Sequence, residues 1–197
     1  MGQASTAARM PPRAEIDDLT LRRAQQGEKA ALGALIERYH PMIHALVWRM
    51  ACAQGAHHVA DLVQDALVGV LTSIARFDPR GTAKLSTWIL TIATRVVLNE
   101  RRRGPAPEAA APAEYADPAT SAADRELAVA IATAVTSLSE QQRIVLVLRE
   151  YHDLDYAEIA EALSVDVGTI KSRLSRARTA VRDALERSHP DLFRGDR

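Results

Sequence analysis

One cysteine, Cys52, serves the whole chain, so no disulfide can form within it. Aromatic residues are scarce, with two Trp, four Tyr and two Phe in 197 residues, so aliphatic side chains must build the interior. No apolar run approaches the ~20 residues of a membrane span. The first residues, MGQASTAARMPPRAE, lack the apolar centre of a secretory leader. A soluble cytoplasmic protein without membrane insertion is expected, with a disordered tail over 1–15. Alternating β-branched stretches and internal repeats are missing too, which leaves an all-α fold. Finally, there is no excess charge of either sign, since 25 Lys and Arg face 25 Asp and Glu. That balance alone would argue against a nucleic-acid partner.

The average conceals segregation. Positive charge gathers at 101–103 and 171–182, while Asp17, Asp18, Asp61, Asp65 and the centre of the chain are acidic. Such separation suggests one surface for DNA and another for a basic protein.

Two helical blocks flank a linker. The first covers 16–103, with helices expected at 16–26, 28–39, 42–53, 58–76 and 86–103, punctuated by Gly27, Pro41, Gly55 and the Asp78-Pro79-Arg80-Gly81 turn. The linker, 104–121, holds four prolines and seven alanines with Glu108, Glu114 and Asp117. It should be flexible, extended and weakly acidic. The second block, 122–187, should contain helices at 123–136, 140–151, 156–163 and 167–187, before a C-terminal tail over 188–197. Ser139 with Gln142 and Asp155 with Glu158 have the spacing of capping boxes.

The richest stretch is 155–187, which reads as a helix-turn-helix. YAEIAEAL places Ile159, Ala160 and Leu163 on one face, and Ser164-Val165-Asp166 forms the turn. The following helix, VGTIKSRLSRARTAVRDALE, buries Ile170, Leu174, Ala177 and Val181. Its other faces carry Lys171, Arg173, Arg176, Arg178 and Arg182, with no acidic residue between Val167 and Arg182. An ordinary solvated helix mixes both signs. A helix apolar on one side and only cationic elsewhere fits a duplex major groove.

Two helices of the first block carry further signals. In 59–76 a complete stripe of Val59, Leu62, Val63, Ala66, Leu67, Val70, Leu71 and Ile74 faces a core. The opposite face presents Asp61, Gln64, Asp65 and Val68. It is either a plain solvated face or a docking patch for a basic helix. In 86–103 the core side is Trp88, Ile89, Ile92, Ala93, Val96 and Val97. Thr87, Thr91, Arg95, Asn99 and Arg103 line up away from it, a sequence of groups suited to phosphates and base edges. Arg101 to Arg103 could equally complement the helix dipole. The preceding loop, FDPRGTAKLSTW, is polar, made flexible by Gly81, and ends in a tryptophan whose ring should be core. The loop is a candidate for contact with unpaired bases.

These pieces in this order resemble a bacterial RNA polymerase sigma factor of the small two-domain, extracytoplasmic-function (ECF) type. The segments are DLVQDALVGVLTSIARFD (61–78), STWILTIATRVVLNERRR (86–103), LSEQQRIVLVLREYHDLDYAEIAEAL (138–163) and VGTIKSRLSRAR (167–178). The resemblance implies that Asp61, Gln64, Asp65 and Val68 bind core polymerase. It implies minus-ten promoter contacts by Arg80, Lys84, Ser86, Thr87, Thr91, Arg95, Asn99, Arg102 and Arg103, including strand opening by the 78–87 loop. It implies minus-thirty-five contacts by Thr169, Lys171, Ser172, Arg173, Arg176, Arg178 and Arg182. The linker would thread the polymerase, and an anti-sigma factor would be a further partner. The chain departs from the family's usual Gly, Asn and Asp at Ser164, Arg95 and Asn99. Reach is consistent: the linker's 18 residues extend to roughly 60 Å at ~3.3 Å each. Promoter elements separated by roughly 17 base pairs lie ~58 Å apart at ~3.4 Å per pair.

A regulator that binds DNA without polymerase would explain the helix-turn-helix, with the first block serving dimerisation or ligand binding. It would not explain the acidic face at Asp61 and Asp65. His40 and His44, with Cys52, His57 and His58 nearby, have some look of a zinc site. His40, however, precedes Pro41 at an expected helix start, and no compact ligand loop pairs with it. No metal or cofactor is expected, and no nucleophile–base constellation suggests an enzyme.

Overall fold

Helix-forming segments broken by turn residues give eight α-helices and no strand among the described residues, 15–51, 55–101 and 122–193 of the computed structural model. The expected tail up to residue 14, the linker, Cys52, Arg102, Arg103 and the last four residues lie outside them.

The first group of helices is α1 (Asp18–Gln25), α2 (Lys29–Ala51), α3 (Ala56–Ser73) and α4 (Leu85–Arg101). Asp17 caps α1, accepting from the Thr20 N–H at 3.0 Å. Pro41 was expected to divide two helices, but α2 runs straight through it. Proline removes one intrahelical hydrogen bond and crowds the preceding turn. Here Leu35 and Tyr39 before it, and Ile43, Leu46 and Val47 after it, are buried in one core, so packing outweighs that penalty. Gln25 ties α1 to the far end of α3, donating to the carbonyls of Phe77 at 2.7 Å and Ile74 at 3.2 Å. α3 crosses α4 closely at Gly69, where a Cβ would lie 3.1 Å from Ile92 Cγ2.

The second group is α5 (Ala122–Thr136), α6 (Glu140–Leu146), α7 (Tyr156–Leu163) and α8 (Val167–Ser188). Both expected capping boxes form, at Ser139–Gln142 and Asp155–Glu158. The helix expected over 140–151 changes character: after Leu146 it widens into a π turn, Val147–Tyr151, in which Val147 and Leu148 are both buried. Arg149 then donates to the Leu154 carbonyl at 2.9 Å, and Asp153 takes a positive φ of 58° as the chain reverses toward α7. A 3-10 turn, Pro190–Phe193, occupies part of the expected C-terminal tail.

The two groups touch. α4 packs on α7, and α2 packs on α6 and the π turn. Arg49 of α2 places its guanidinium 4.3 Å from the centre of the Tyr151 ring, a cation–π contact across the seam.

Candidate nucleic-acid and protein interfaces

The helix-turn-helix is built by its caps. Asp155 accepts from the N–H groups of Ala157 and Glu158, both at 2.8 Å, and the Glu158 carboxylate accepts from the Asp155 N–H at 2.7 Å. Ser164 ends α7 in the left-handed region at φ 55°, ψ 46°, so the turn proceeds although it lacks glycine. Asp166 starts α8, accepting from the Thr169 N–H at 2.8 Å and its hydroxyl at 2.6 Å. Those bonds, the hydroxyl's first, hold the Asp166 carboxyl below its ordinary pKa. Ile170, Leu174 and Ala177 are buried and Val181 partly so, which points the cationic faces outward.

Lys171, Arg176 and Arg182 are exposed, while Thr169, Ser172 and Arg173 are half-buried. Arg176 donates to the Ser172 hydroxyl at 3.4 Å, which in turn donates to the Thr169 carbonyl at 3.0 Å. Arg178 is different. It donates twice to Glu150, at 2.6 and 3.0 Å, and this pairing raises its pKa. The acidic partner comes from the π turn, 28 residues away in sequence, where no local reading of α8 could find it.

On α4 the side chains of Arg95 and Asn99 are exposed, as their stripe requires, but its N-terminal end is not open. Thr87, expected to face away from the core, is only 7% exposed because α7 lies against it. Thr91 is half-buried. The core side is also broader than expected: Leu85, Leu90 and Thr94 are buried, while Trp88, Ile92 and Val96 are only partly so. The Trp88 ring sits 5.3 Å from Phe77, closing the loop between them. That loop is less free than Gly81 suggested. Asp78 accepts from the Gly81 N–H through its carbonyl at 3.1 Å and from the Arg80 N–H through its carboxylate at 2.9 Å. Arg80 and Lys84 are exposed around this turn.

On α3, Asp61, Gln64, Asp65 and Val68 are all exposed, with Val68 at 52%. Val59, Leu62, Val63, Ala66 and Val70 are buried on the other side. Contrary to the sequence expectation, residues 56–76 are long and apolar enough to cross a membrane by length and composition. Two aspartates one turn apart on the open face would be costly in lipid.

His40, His44 and Trp48 stack along α2 at ring separations of 6.1 and 6.2 Å. Among the described residues no group of three or more His, Cys, Asp or Glu could hold a metal.

Residues 35–104 match the family description Sigma-70 region 2, and residues 128–181 match Sigma-70, region 4. The chain is 29% identical over 185 residues to the ECF RNA polymerase sigma-E factor of Escherichia coli K12, covering 86% of this chain and 94% of that one. It is likewise 29% identical over 188 residues to the RNA polymerase sigma-H factor of Pseudomonas aeruginosa, covering 87% and 95%. The fold is similar to that of the Bartonella quintana sigma factor RpoE, solved in complex with the anti-sigma factor NepR. That match has a TM-score of 0.62 and 22% identity, over 78% of this chain and 96% of that one.

Proposed function

This chain belongs to the sigma-70 family as a factor of the ECF type, which binds RNA polymerase and directs promoter-specific initiation, and we propose how its surfaces divide that work. Residues 16–103 form the domain that binds core polymerase and the minus-ten element. Residues 122–187 form the domain that reads the minus-thirty-five element, and 104–121 connect them. Asp61, Gln64, Asp65 and Val68 dock on a basic, partly apolar surface of the polymerase. Arg80, Lys84, Ser86, Thr87, Thr91, Arg95, Asn99, Arg102 and Arg103 serve the minus-ten element. Thr169, Lys171, Ser172, Arg173, Arg176, Arg178 and Arg182 serve the minus-thirty-five element. Bond making belongs to the polymerase; this chain contributes recognition and strand separation in the cytoplasm. An anti-sigma protein is a further partner, by analogy with the Bartonella factor's complex.

The observation that carries this reading is the open acidic and apolar face of α3, set directly opposite a packed core. A polymerase-independent regulator has no use for such a face. The deciding experiment is run-off transcription with purified core polymerase on promoters selected from a randomised library. Asp61→Lys with Asp65→Lys should keep the fold and abolish holoenzyme formation, because like charges then meet at the docking surface. Normal co-purification of that variant with core polymerase would remove α3 from the docking role.

A further inference from the structure

The first turn of α4 holds two neighbouring hydroxyls, and a carboxylate occupies each. Ser86 donates to Glu15 at 2.5 Å through its hydroxyl and at 3.4 Å through its N–H. The second oxygen of Glu15 accepts from the Tyr39 hydroxyl at 2.6 Å, which anchors it. Thr87 donates to Glu158 at 3.0 Å, and the second oxygen of Glu158 is fixed by the Asp155 N–H at 2.7 Å. The two glutamates come from different parts of the chain, one just before α1 and the other from the first helix of the helix-turn-helix.

A helix N-terminus with free N–H groups and hydroxyls favours an anion. A carboxylate and a nucleic-acid phosphate compete for such donors, since both are compact anions that accept charge-assisted hydrogen bonds. Glu158 cannot remain 3.0 Å from Thr87 while α8 and α4 sit on promoter elements ~58 Å apart. The arrangement is therefore a state that must open before both elements can be read.

We propose that Glu15 and Glu158 are internal stand-ins for DNA phosphate that cover the minus-ten turn, Glu158 alone also tying the two groups of helices together, and that engagement with polymerase displaces them. This rests on the reading that Ser86 and Thr87 contact minus-ten DNA. Glu158 has a double duty: it caps α7 and latches the two domains. Opening the latch releases one oxygen of Glu158 and leaves its capping bond to Asp155 intact, so the helix-turn-helix survives the transition.

The test measures binding of the free full-length chain to a single-stranded, nontemplate minus-ten oligonucleotide taken from a promoter selected by wild-type holoenzyme. Wild type should bind weakly. Glu15→Ala and Glu158→Gln should each bind more tightly by about tenfold, the scale of losing one charge-assisted competitor, and the double variant more tightly than either. Glu15→Ala lies outside the helix-turn-helix, so its result does not depend on the stability of α7. Unchanged binding by both single variants and the double variant overturns the latch. The underlying reading is tested separately by Ser86→Ala with Thr87→Val in holoenzyme. If those changes do not alter promoter opening, the minus-ten assignment fails and the latch with it. If they impair opening while the glutamate variants bind no better than wild type, the latch alone fails.

Discussion

Arg178 and Glu150 form an ion pair that couples the recognition helix to the π turn, with both hydrogen bonds converging on a single carboxylate oxygen. Both side chains are about half exposed, so the pair contributes on the order of 1 kcal/mol or less to stability. Its larger effect is on availability. Glu150→Gln should release Arg178 for phosphate contact, tighten duplex binding and steepen the salt dependence by about one counterion. Titrations of upstream-element DNA at several salt concentrations measure this. Identical slopes for variant and wild type would mean that Arg178 does not meet the backbone.

Arg176 and Arg182 should separate base reading from backbone attraction. Both are exposed on α8. Arg176→Ala is expected to cost roughly 1–3 kcal/mol and relax preference at one base pair. Arg182→Ala should weaken binding evenly across sequences and lower the salt slope by about one. Selection of preferred sites by each variant, followed by salt titration, distinguishes the two behaviours.

Ser164 holds a left-handed conformation that disfavours any residue with a Cβ. Ser164→Gly should therefore stabilise the helix-turn-helix by roughly 1 kcal/mol and raise its melting temperature by a few degrees. Calorimetry of the full chain reads this directly. A lower melting temperature would show that the serine side chain contributes something beyond turn geometry.

His152 sits at the seam with its Nε2 sealed from solvent and without a hydrogen-bond partner. Burial first, and Arg49 second, lower its pKa from 6.5 to about 4. The unfolded chain then takes up a proton at a higher pH than the folded chain does. Stability should be complete above pH ~6.5 and decline as pH falls toward ~4, by roughly 2 kcal/mol or less after allowance for partial exposure. Urea midpoints at pH 7 and pH 4.5 should differ less for His152→Asn than for wild type. Equal pH dependence would place the titrating group elsewhere.

Local rules already determine much of this protein. Apolar periodicity located the helices around Val59 and Ile170, and short-range capping located the starts at Ser139 and Asp155. The open face of α3 also follows from spacing alone, because a helix that buries Leu62, Val63 and Ala66 must turn Asp61 and Asp65 outward. These are properties of 3.6-residue geometry acting within one or two turns. Pro41 shows the limit: a local breaker was overruled by apolar packing along both halves of α2. Thr87 and Arg178 show it again. Each looked open on its own helix, and each is engaged by a glutamate, 71 and 28 residues away respectively. Helical spacing says which way a side chain leaves its own axis. Only the packing of separate helices decides what it meets there, because long-range contacts depend on how whole surfaces fit together.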